Sequence, residues 1–234
     1  MIRLENITKK FGKLTAVDNL SFEIQRGEVF GLLGKNGAGK TTTIKMMTLQ
    51  LKPSAGQIFF EERLPAGNEV FIKNLIGIVP QHLNFDQDLT AGENLELHAR
   101  LYHLPKDLRQ KKIDELLHFV ELESVKNSFI KSLSGGMKRR LLIIRALIHS
   151  PKILFLDEPT VALDPQVRRK IWDLIQNLKA QGITIILTTH YIEEAEFLCD
   201  RVAILNAGKL AALDTTKNLC VNQSLEEVFI KLTS

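Results

Sequence analysis

The sequence predicts an α/β fold whose core is a mainly parallel β-sheet. A short apolar segment, Glu28 to Leu33, leads into a glycine-rich loop and then into residues with helical spacing. A second apolar segment, Ile153 to Leu156, ends in two acidic residues, as a buried central strand often does. After residue 150 strands and helices alternate along the chain, and this order favours parallel strands joined by crossover helices.

The glycine-rich loop is the first element that indicates a chemical function. Residues 34–41 read G-K-N-G-A-G-K-T and fit the phosphate-binding pattern G-x-x-x-x-G-K-[ST]. Glycines let backbone N–H groups converge on phosphate oxygens, and the following helix adds its positive N-terminal end. Lys40 can reach the β- and γ-phosphates, while the Thr41 hydroxyl can bind Mg²⁺. The predicted nucleotide-binding residues of this loop are Gly34, Asn36, Gly37, Ala38, Gly39, Lys40, Thr41 and Thr42.

The middle of the chain changes from strand to helix. Residues 44–51 continue the loop as a helix, and Lys52 to Gly56 reads as a turn. Residues 86–150 lose strand character, and within them Glu93 to Tyr102 and Asp107 to Val120 have helical periodicity. This segment is therefore predicted to form a helical lobe.

A second predicted anion site lies near the end of this lobe. Ser134 is the expected N-cap of a helix that runs to Ile148, and Gly135 and Gly136 follow it directly. The N-terminus of such a helix attracts anions, and the two glycines allow close approach. Lys40 already serves the phosphates from the first loop, so these three residues form a separate site.

The acidic pair after the second apolar segment is predicted to carry out the chemistry. Asp157 would hold Mg²⁺ directly or through water, and Glu158 would polarise the attacking water. Ligands of α/β sheets usually bind at the carboxyl ends of the strands, which is where this pair lies. The sequence therefore predicts nucleotide hydrolysis.

The last third of the chain completes the predicted sheet. Further strands are expected at Ile183 to Leu187 and Arg201 to Leu205, with helices at about 166–180 and 191–199. We expect a single domain over residues 1–234. Its parts are a nucleotide-binding core at 1–85 and 151–220, a helical lobe at 86–150 and a short C-terminal tail at 221–234.

Composition limits the class of protein. The chain has 234 residues, 44% of them hydrophobic, which is enough for one substantial core. No apolar stretch reaches the length of a membrane helix, and no signal peptide is expected. The two cysteines have no C-x-x-C spacing, which is typical of reduced thiols in the cytoplasm. The net charge of +4 suits the surface of an anionic membrane, and no nucleic-acid partner is expected.

Taken together, these motifs resemble the nucleotide-binding subunit of an ABC transporter, and the resemblance covers nearly all of the chain. It rests on the phosphate-binding loop, the Leu133 to Met137 signature motif and the acidic pair in the family's order. The resemblance implies ATP and Mg²⁺ as ligands, and it adds an antiparallel β subdomain to the core sheet. It also implies roles for Phe11 on adenine, Val17 beside the base or ribose, Gln81 on Mg²⁺ and the γ-phosphate, Asp164 in the D-loop, and His190 on the γ-phosphate.

The resemblance further implies partners and a location. Ser134, Gly135 and Gly136 would contact the γ-phosphate held by a second copy, so that two ATP molecules lie between two head-to-tail subunits. The ATPase would power a separate polytopic membrane permease and lie in the cytoplasm on the inner face of the membrane. Lys138 to Arg140 and the final Leu225 to Phe229 resemble the bacterial branch that exports drugs, polysaccharides or lipids.

Two local expectations and three alternatives complete the predictions. The apolar residues of the tail are expected to form a small helix packed on the body, and Phe85 is the expected contact of the permease. A soluble ABC-type mechanical ATPase would need a long coiled-coil insertion, which is absent between residues 41 and 133. A translation-associated ABC factor usually carries two such cassettes in one chain, whereas this sequence contains one. A GTPase would need an N-K-x-D motif to bind guanine, and the sequence has none.

Overall fold

The structure is a computed structural model that describes residues 1–221 and 223–233. Within those residues the chain forms nine strands and nine α-helices. The strands are β1 (Ile2–Phe11), β2 (Leu14–Ile24), β3 (Val29–Gly34), β4 (Ala55–Phe60), β5 (Ile76–Val79), β6 (Ile153–Asp157), β7 (Thr184–Thr189), β8 (Arg201–Asn206) and β9 (Lys209–Thr215). The helices are α1 (Lys40–Met47), α2 (Glu69–Leu75), α3 (Ala91–Leu101), α4 (Lys106–Phe119), α5 (Gly135–Ala146), α6 (Pro165–Ala180), α7 (Ile192–Leu198), α8 (Thr216–Leu219) and α9 (Leu225–Thr233).

The core is a six-stranded sheet in the order β5-β6-β7-β3-β8-β9. The first five of these strands are parallel, and β9 returns antiparallel to β8. Since parallel strands end at the same edge of a sheet, the ends of β3, β5, β6 and β7 meet there. The predicted α/β fold with a mainly parallel core sheet is confirmed.

Two apolar clusters lie on opposite faces of this sheet, and β3 divides its side chains between them. Val29 and Leu33 belong to the cluster that continues into the helical lobe, whereas Phe30 and Leu32 belong to the other. This is the period-2 alternation of a strand that is buried on both faces. The second cluster is covered by an antiparallel sheet in the order β2-β1-β4, which is the expected β subdomain.

The helical lobe is formed by α3, α4 and α5. Helix α3 begins with a capping box in which Thr90 and Glu93 satisfy each other's backbone N–H groups. Buried residues from all three helices, among them Leu95, Leu117 and Leu141, share one cluster with the parallel sheet. The lobe is thereby packed onto the core through apolar contacts rather than through surface ion pairs.

Several expected boundaries were wrong. Helix α1 ends at Met47 and not at residue 51, since Leu49 has a left-handed backbone with φ 59°. The expected turn at Lys52 to Gly56 is shorter, because β4 already begins at Ala55. Helix α5 ends at Ala146, before Ile148. Helix α2 was not predicted at all.

The tail forms a helix that packs on the body, as expected. Leu225 and Val228 of α9 are buried, and the end of the helix lies beside the phosphate-binding loop. The Lys35 ammonium donates to the Thr233 carbonyl at 2.6 Å, and the Asn206 amide donates to the Leu232 carbonyl at 3.0 Å. Residues 222 and 234 of the predicted tail lie outside the described residues, and the division into core, lobe and tail stays a prediction.

None of the helices within residues 1–221 and 223–233 has the length and apolar character that crossing a membrane requires.

Candidate functional site

A cleft of about 650 Å³ lies at the edge where the parallel strands end. It brings together segments that are far apart in the sequence: the β1–β2 hairpin, the phosphate-binding loop, the segment after β5, and the ends of β6 and β7. Ten of the predicted site residues line it: Phe11, Asn36, Gly37, Gly39, Lys40, Thr41, Thr42, Gln81, Glu158 and His190.

The phosphate-binding loop owes its shape to residues in the left-handed backbone region. Gly39 has φ +100°, and a Cβ added there would lie 2.7 Å from the Ala16 carbonyl oxygen. A side chain at this position would therefore both strain the backbone and collide with the hairpin. Gly34 and Ala38 are also part of the loop, but they are buried beneath it rather than lining the cleft.

Lys40 is buried, with 6% of its surface exposed, and its ammonium lies inside the loop. It donates to the Gly34 carbonyl at 2.7 Å and to the Lys35 carbonyl at 3.2 Å. Burial lowers the pKa of Lys40, while the carboxylates of Glu158 and Asp157 oppose that shift. A charged group held among carbonyls at the head of the cleft is suited to bind an entering phosphate.

The two acids are held through Thr188 of the neighbouring strand. Strand pairing places Asp157 opposite Thr188, whose hydroxyl donates to Asp157 Oδ1 at 2.5 Å. The same hydroxyl oxygen accepts from the Glu158 N–H at 3.0 Å. A single threonine side chain thus fixes the carboxylate of one acid and the backbone of the other.

Glu158 and His190 form the polar pair at the centre of the cleft. Nδ1 of His190 lies 2.9 Å from Oε2 of Glu158, and the Glu158 side chain is 13% exposed. The backbone of Glu158 is left-handed, with φ 48°, which is a costly conformation for a residue with a side chain. Strain of this kind persists only where the surrounding contacts fix it, and it directs the carboxylate into the cleft.

Oxygen donors suited to Mg²⁺ are present at the predicted positions. The Thr41 hydroxyl and the Gln81 amide line the cleft, and the Asp157 carboxylate lies one hydrogen bond behind Glu158 through Thr188. Hard cations such as Mg²⁺ prefer oxygen ligands of this type. Among the described residues no group of three or more His, Cys, Asp or Glu side chains forms a metal cage.

Phe11, Leu14 and Ala16 line the end of the cleft that the β1–β2 hairpin forms. Phe11 is 48% exposed, and the Lys9 ammonium lies over its ring, 5.2 Å from the centroid. Val17 is fully buried and is not among the residues that line the cleft, and its predicted place beside the base or ribose stays a prediction. Val17 points into the core because side chains alternate along β2, and Leu14 and Ala16 line the cleft instead.

The predicted second anion site lies apart from the cleft of its own chain. Ser134 is exposed and caps α5, where its hydroxyl oxygen accepts from the Met137 N–H at 3.2 Å. Gly136 is buried, and a Cβ added there would lie 2.5 Å from Val167 Cγ1 of the same chain. Its small size therefore has a packing reason within the chain, and the close approach of a phosphate to it stays a prediction. Asp164 is also outside the cleft and caps α6 through a bond from the Val167 N–H at 3.0 Å.

Sequence reasoning missed four residues at this site. Leu14, Ala16 and Val161 line the cleft, and Thr188 lies behind it. A signal existed for Thr188 alone, because Thr188 and Thr189 place polar side chains at the end of an apolar strand just before His190. The other three are apolar residues that only the three-dimensional arrangement identifies.

Comparison with known proteins gives a consistent result. Residues 17–161 match the family model described as ABC transporter. The chain is 43% identical over 212 residues to the Nod factor export ATP-binding protein I of Ralstonia nicotianae, covering 91% of this chain and 66% of that protein. It is also 43% identical over 220 residues to the linearmycin resistance ATP-binding protein LnrL of Bacillus subtilis, covering 94% and 71%.

A solved structure extends the comparison to geometry. The dimeric post-hydrolysis state of an ATP-binding cassette bound to ADP and Pi has a TM-score of 0.82 and 31% identity, over 92% of this chain and 98% of that one. This chain spans 66–71% of the length of the two curated relatives.

Proposed function

Because the chain belongs to the ABC transporter family, we propose that it is the ATP-hydrolysing subunit of an exporter and powers a separate membrane permease. The observation that carries this proposal is the cleft, in which the phosphate-binding loop faces Glu158 and His190, 2.9 Å apart. The same cleft would accept adenine at its other end, where Phe11 is exposed.

Binding is assigned to the loop and the hairpin. Backbone N–H groups of the loop and the N-terminus of α1 would hold the phosphates, and the Lys40 ammonium would exchange its carbonyl partners for phosphate oxygens. Thr41, Gln81 and Asp157 would hold Mg²⁺, which neutralises charge on the phosphates when it is bound.

Hydrolysis is assigned to Glu158 as the general base. Its carboxylate would accept a proton from the water that attacks the γ-phosphate, and Thr188 fixes its backbone for that task. His190 contacts that carboxylate here and would turn its ring to the γ-phosphate, since it lies in the same cleft.

The remaining motif residues require a second copy of the chain. Ser134 and Gly135 are exposed and do not line the cleft of their own chain, so they are available to the ATP of a partner. A head-to-tail dimer around two ATP molecules would use them, together with Asp164 at the start of α6. The dimeric cassette to which this chain is similar supports this arrangement.

The permease partner is proposed to dock between the core and the lobe. A groove of about 580 Å³ lies there, with Leu49 and Val70 on the core side and Leu101 on the lobe side. A cytoplasmic segment of a permease would fit such an apolar groove, and the subunit would then lie on the inner face of the membrane. Phe85, the permease contact expected from the sequence, is buried in the apolar cluster that the parallel sheet shares with the helical lobe. It is therefore not available for docking.

The direction of transport is proposed from the relatives. Both curated relatives have names that place them in export or in resistance to an antibiotic, and they do not support a soluble mechanical ATPase. Export is the corresponding proposal for this chain.

Glu158→Gln tests the catalytic assignment. The variant keeps the shape of the side chain but loses the base, so turnover should fall by about 10²–10⁴-fold while ATP still binds. The ATP-bound dimer should then persist on size exclusion with MgATP. Glu226→Gln on α9 is the matched control and should hydrolyse ATP normally. Near-normal turnover of Glu158→Gln would refute the assignment.

Purification from membranes tests the partner. The wild-type chain should co-purify with a polytopic membrane protein, and its ATPase rate should respond to that protein. Full activity without any membrane partner would favour the soluble alternative.

A further inference from the structure

Arg139 is a buried charge that the proposed mechanism has not used. It lies in the second turn of α5, five positions after Ser134, the N-cap of that helix, and only 3% of its surface is exposed. A buried guanidinium is costly to desolvate unless its donors are satisfied. Its partners therefore indicate why it is there.

All three hydrogen bonds of Arg139 go to backbone carbonyls outside its own helix. Nη1 donates to the Pro80 carbonyl at 3.0 Å, and Nη2 donates to the Gln81 carbonyl at 3.3 Å. Nη2 also donates to the Glu158 carbonyl at 3.0 Å. The planar guanidinium thus joins the segment that carries the Mg²⁺ and γ-phosphate contact to the residue that carries the general base.

The backbone of Glu158 is in a conformation that needs such support. Its backbone is left-handed, with a φ angle of 48°, which a residue with a side chain adopts only where neighbouring contacts hold it. Thr188 holds the N–H side of this residue, while Arg139 holds the carbonyl side. The backbone of the general base is therefore fixed from both sides, by two different elements.

Electrostatics agree with this geometry. Burial lowers the pKa of the Arg139 guanidinium, whereas the carboxylates of Asp157 and Glu194 favour its charged form. The carboxylates that stabilise the charge of Arg139 therefore lie outside the helical lobe, on β6 and α7.

We propose that Arg139 is a positioning residue, which holds Glu158 and the Gln81 segment of its own chain in the geometry needed for hydrolysis. The proposal rests on the ATP-sandwich dimer. In that dimer Ser134 contacts the partner's ATP, while Arg139 on the same helix fixes the base for the chain's own ATP. The helix would then couple the two sites, because displacement at one end alters the base at the other.

Arg139→Gln is the first test. It removes the charge and two of the three donor nitrogens. The kcat should therefore fall by about 10- to 100-fold, the loss typical of a displaced catalytic group. The KM for ATP should change little, since no contact of the phosphate-binding loop is altered. Arg139→Lys retains the charge and should recover part of kcat. Arg140→Gln is the matched control, because Arg140 on the same helix donates only to the Val120 carbonyl in the lobe.

Mixed dimers then decide which site Arg139 serves. Lys40→Ala mixed with Ser134→Arg is the reference pair: one composite site carries both defects and the other carries none, so activity should return. No activity in this pair would contradict the sandwich dimer itself, and not the role of Arg139.

The two decisive pairs give opposite expectations. Arg139→Gln mixed with Ser134→Arg should regain activity, because both defects fall in one composite site and the other stays intact. Arg139→Gln mixed with Lys40→Ala should stay inactive, because each site then carries one defect.

The reverse result would show that Arg139 only supports the signature motif, and it would overturn the proposal. Recovery in neither pair, with an active reference pair, would also overturn it, as would an unchanged kcat. Melting curves check the folding of each variant, and if Arg139→Gln does not fold, the same pairs are made with Arg139→Lys.

Discussion

Replacing Phe85 by alanine separates a core role from a docking role. Phe85 is 8% exposed and packs within the apolar cluster that the parallel sheet shares with the helical lobe. The Arg145 guanidinium lies 4.7 Å from its ring centroid. Removing a buried phenyl ring costs about 3–5 kcal/mol through lost burial and the remaining cavity. Loss of the cation–π contact adds about 0.5–1 kcal/mol. The two losses together are about 3.5–6 kcal/mol. For a chain of this size each kcal/mol lowers Tm by about 2–4 °C, so Tm should fall by about 7–24 °C.

Urea unfolding and calorimetry of the isolated subunit measure this effect. Leu83→Ala is the matched control, because Leu83 lies two residues earlier and is 42% exposed. Its effect on the free energy of unfolding should stay within about 0.5 kcal/mol. A loss below about 1 kcal/mol for Phe85→Ala, together with weaker binding of the permease, would refute the assignment of Phe85 to the core.

Three further predictions follow from single contacts. Thr188→Val removes the hydroxyl shared by the two acids, so urea unfolding should show a loss of about 1–3 kcal/mol, and steady-state kinetics should show a lower kcat. Gly39→Ala should destabilise the fold by about 1–3 kcal/mol in the same unfolding assay, because its Cβ would lie 2.7 Å from the Ala16 carbonyl. Burial, with Arg145 and His149 nearby, lowers the pKa of His98 from 6.5 to about 4. Below pH 6.5 the unfolded chain therefore binds a proton that the folded chain does not. Stability should fall between pH 6.5 and pH 4 by up to about 3 kcal/mol, and His98→Gln should flatten that dependence; an equal slope in both proteins would contradict it.

The sequence was sufficient to predict those elements whose structure depends on one short segment alone. The apolar run of β6 gives a buried central strand, and Ser134 caps α5 as its position before two glycines suggested. Such features depend on local periodicity and capping, which a single segment contains. The roles of the predicted site residues stay predictions until the variants are measured.

The burial of individual side chains was predicted poorly where contacts between distant segments determine it. Val17 follows the hairpin residues that line the cleft, but the alternation of β2 turns it into the core. Phe85 lies in an irregular stretch without periodicity. Its burial is evident only in the structure, where Arg145 of α5 lies over its ring. Arg139 stands in the basic run Lys138 to Arg140, and nothing in that run indicates that only 3% of its surface is exposed. Which face of an element meets another element is set by tertiary contacts that no short pattern records.

The contact between α9 and the phosphate-binding loop offers a way to observe the cleft from outside. Lys35 of the loop and Asn206 at the end of β8 both donate to carbonyls in the last turn of α9. Lys231 lies in that turn and is exposed. A fluorophore attached through Lys231→Cys would therefore report the arrival of nucleotide without occupying the cleft, provided that the native Cys199 and Cys220 are replaced first.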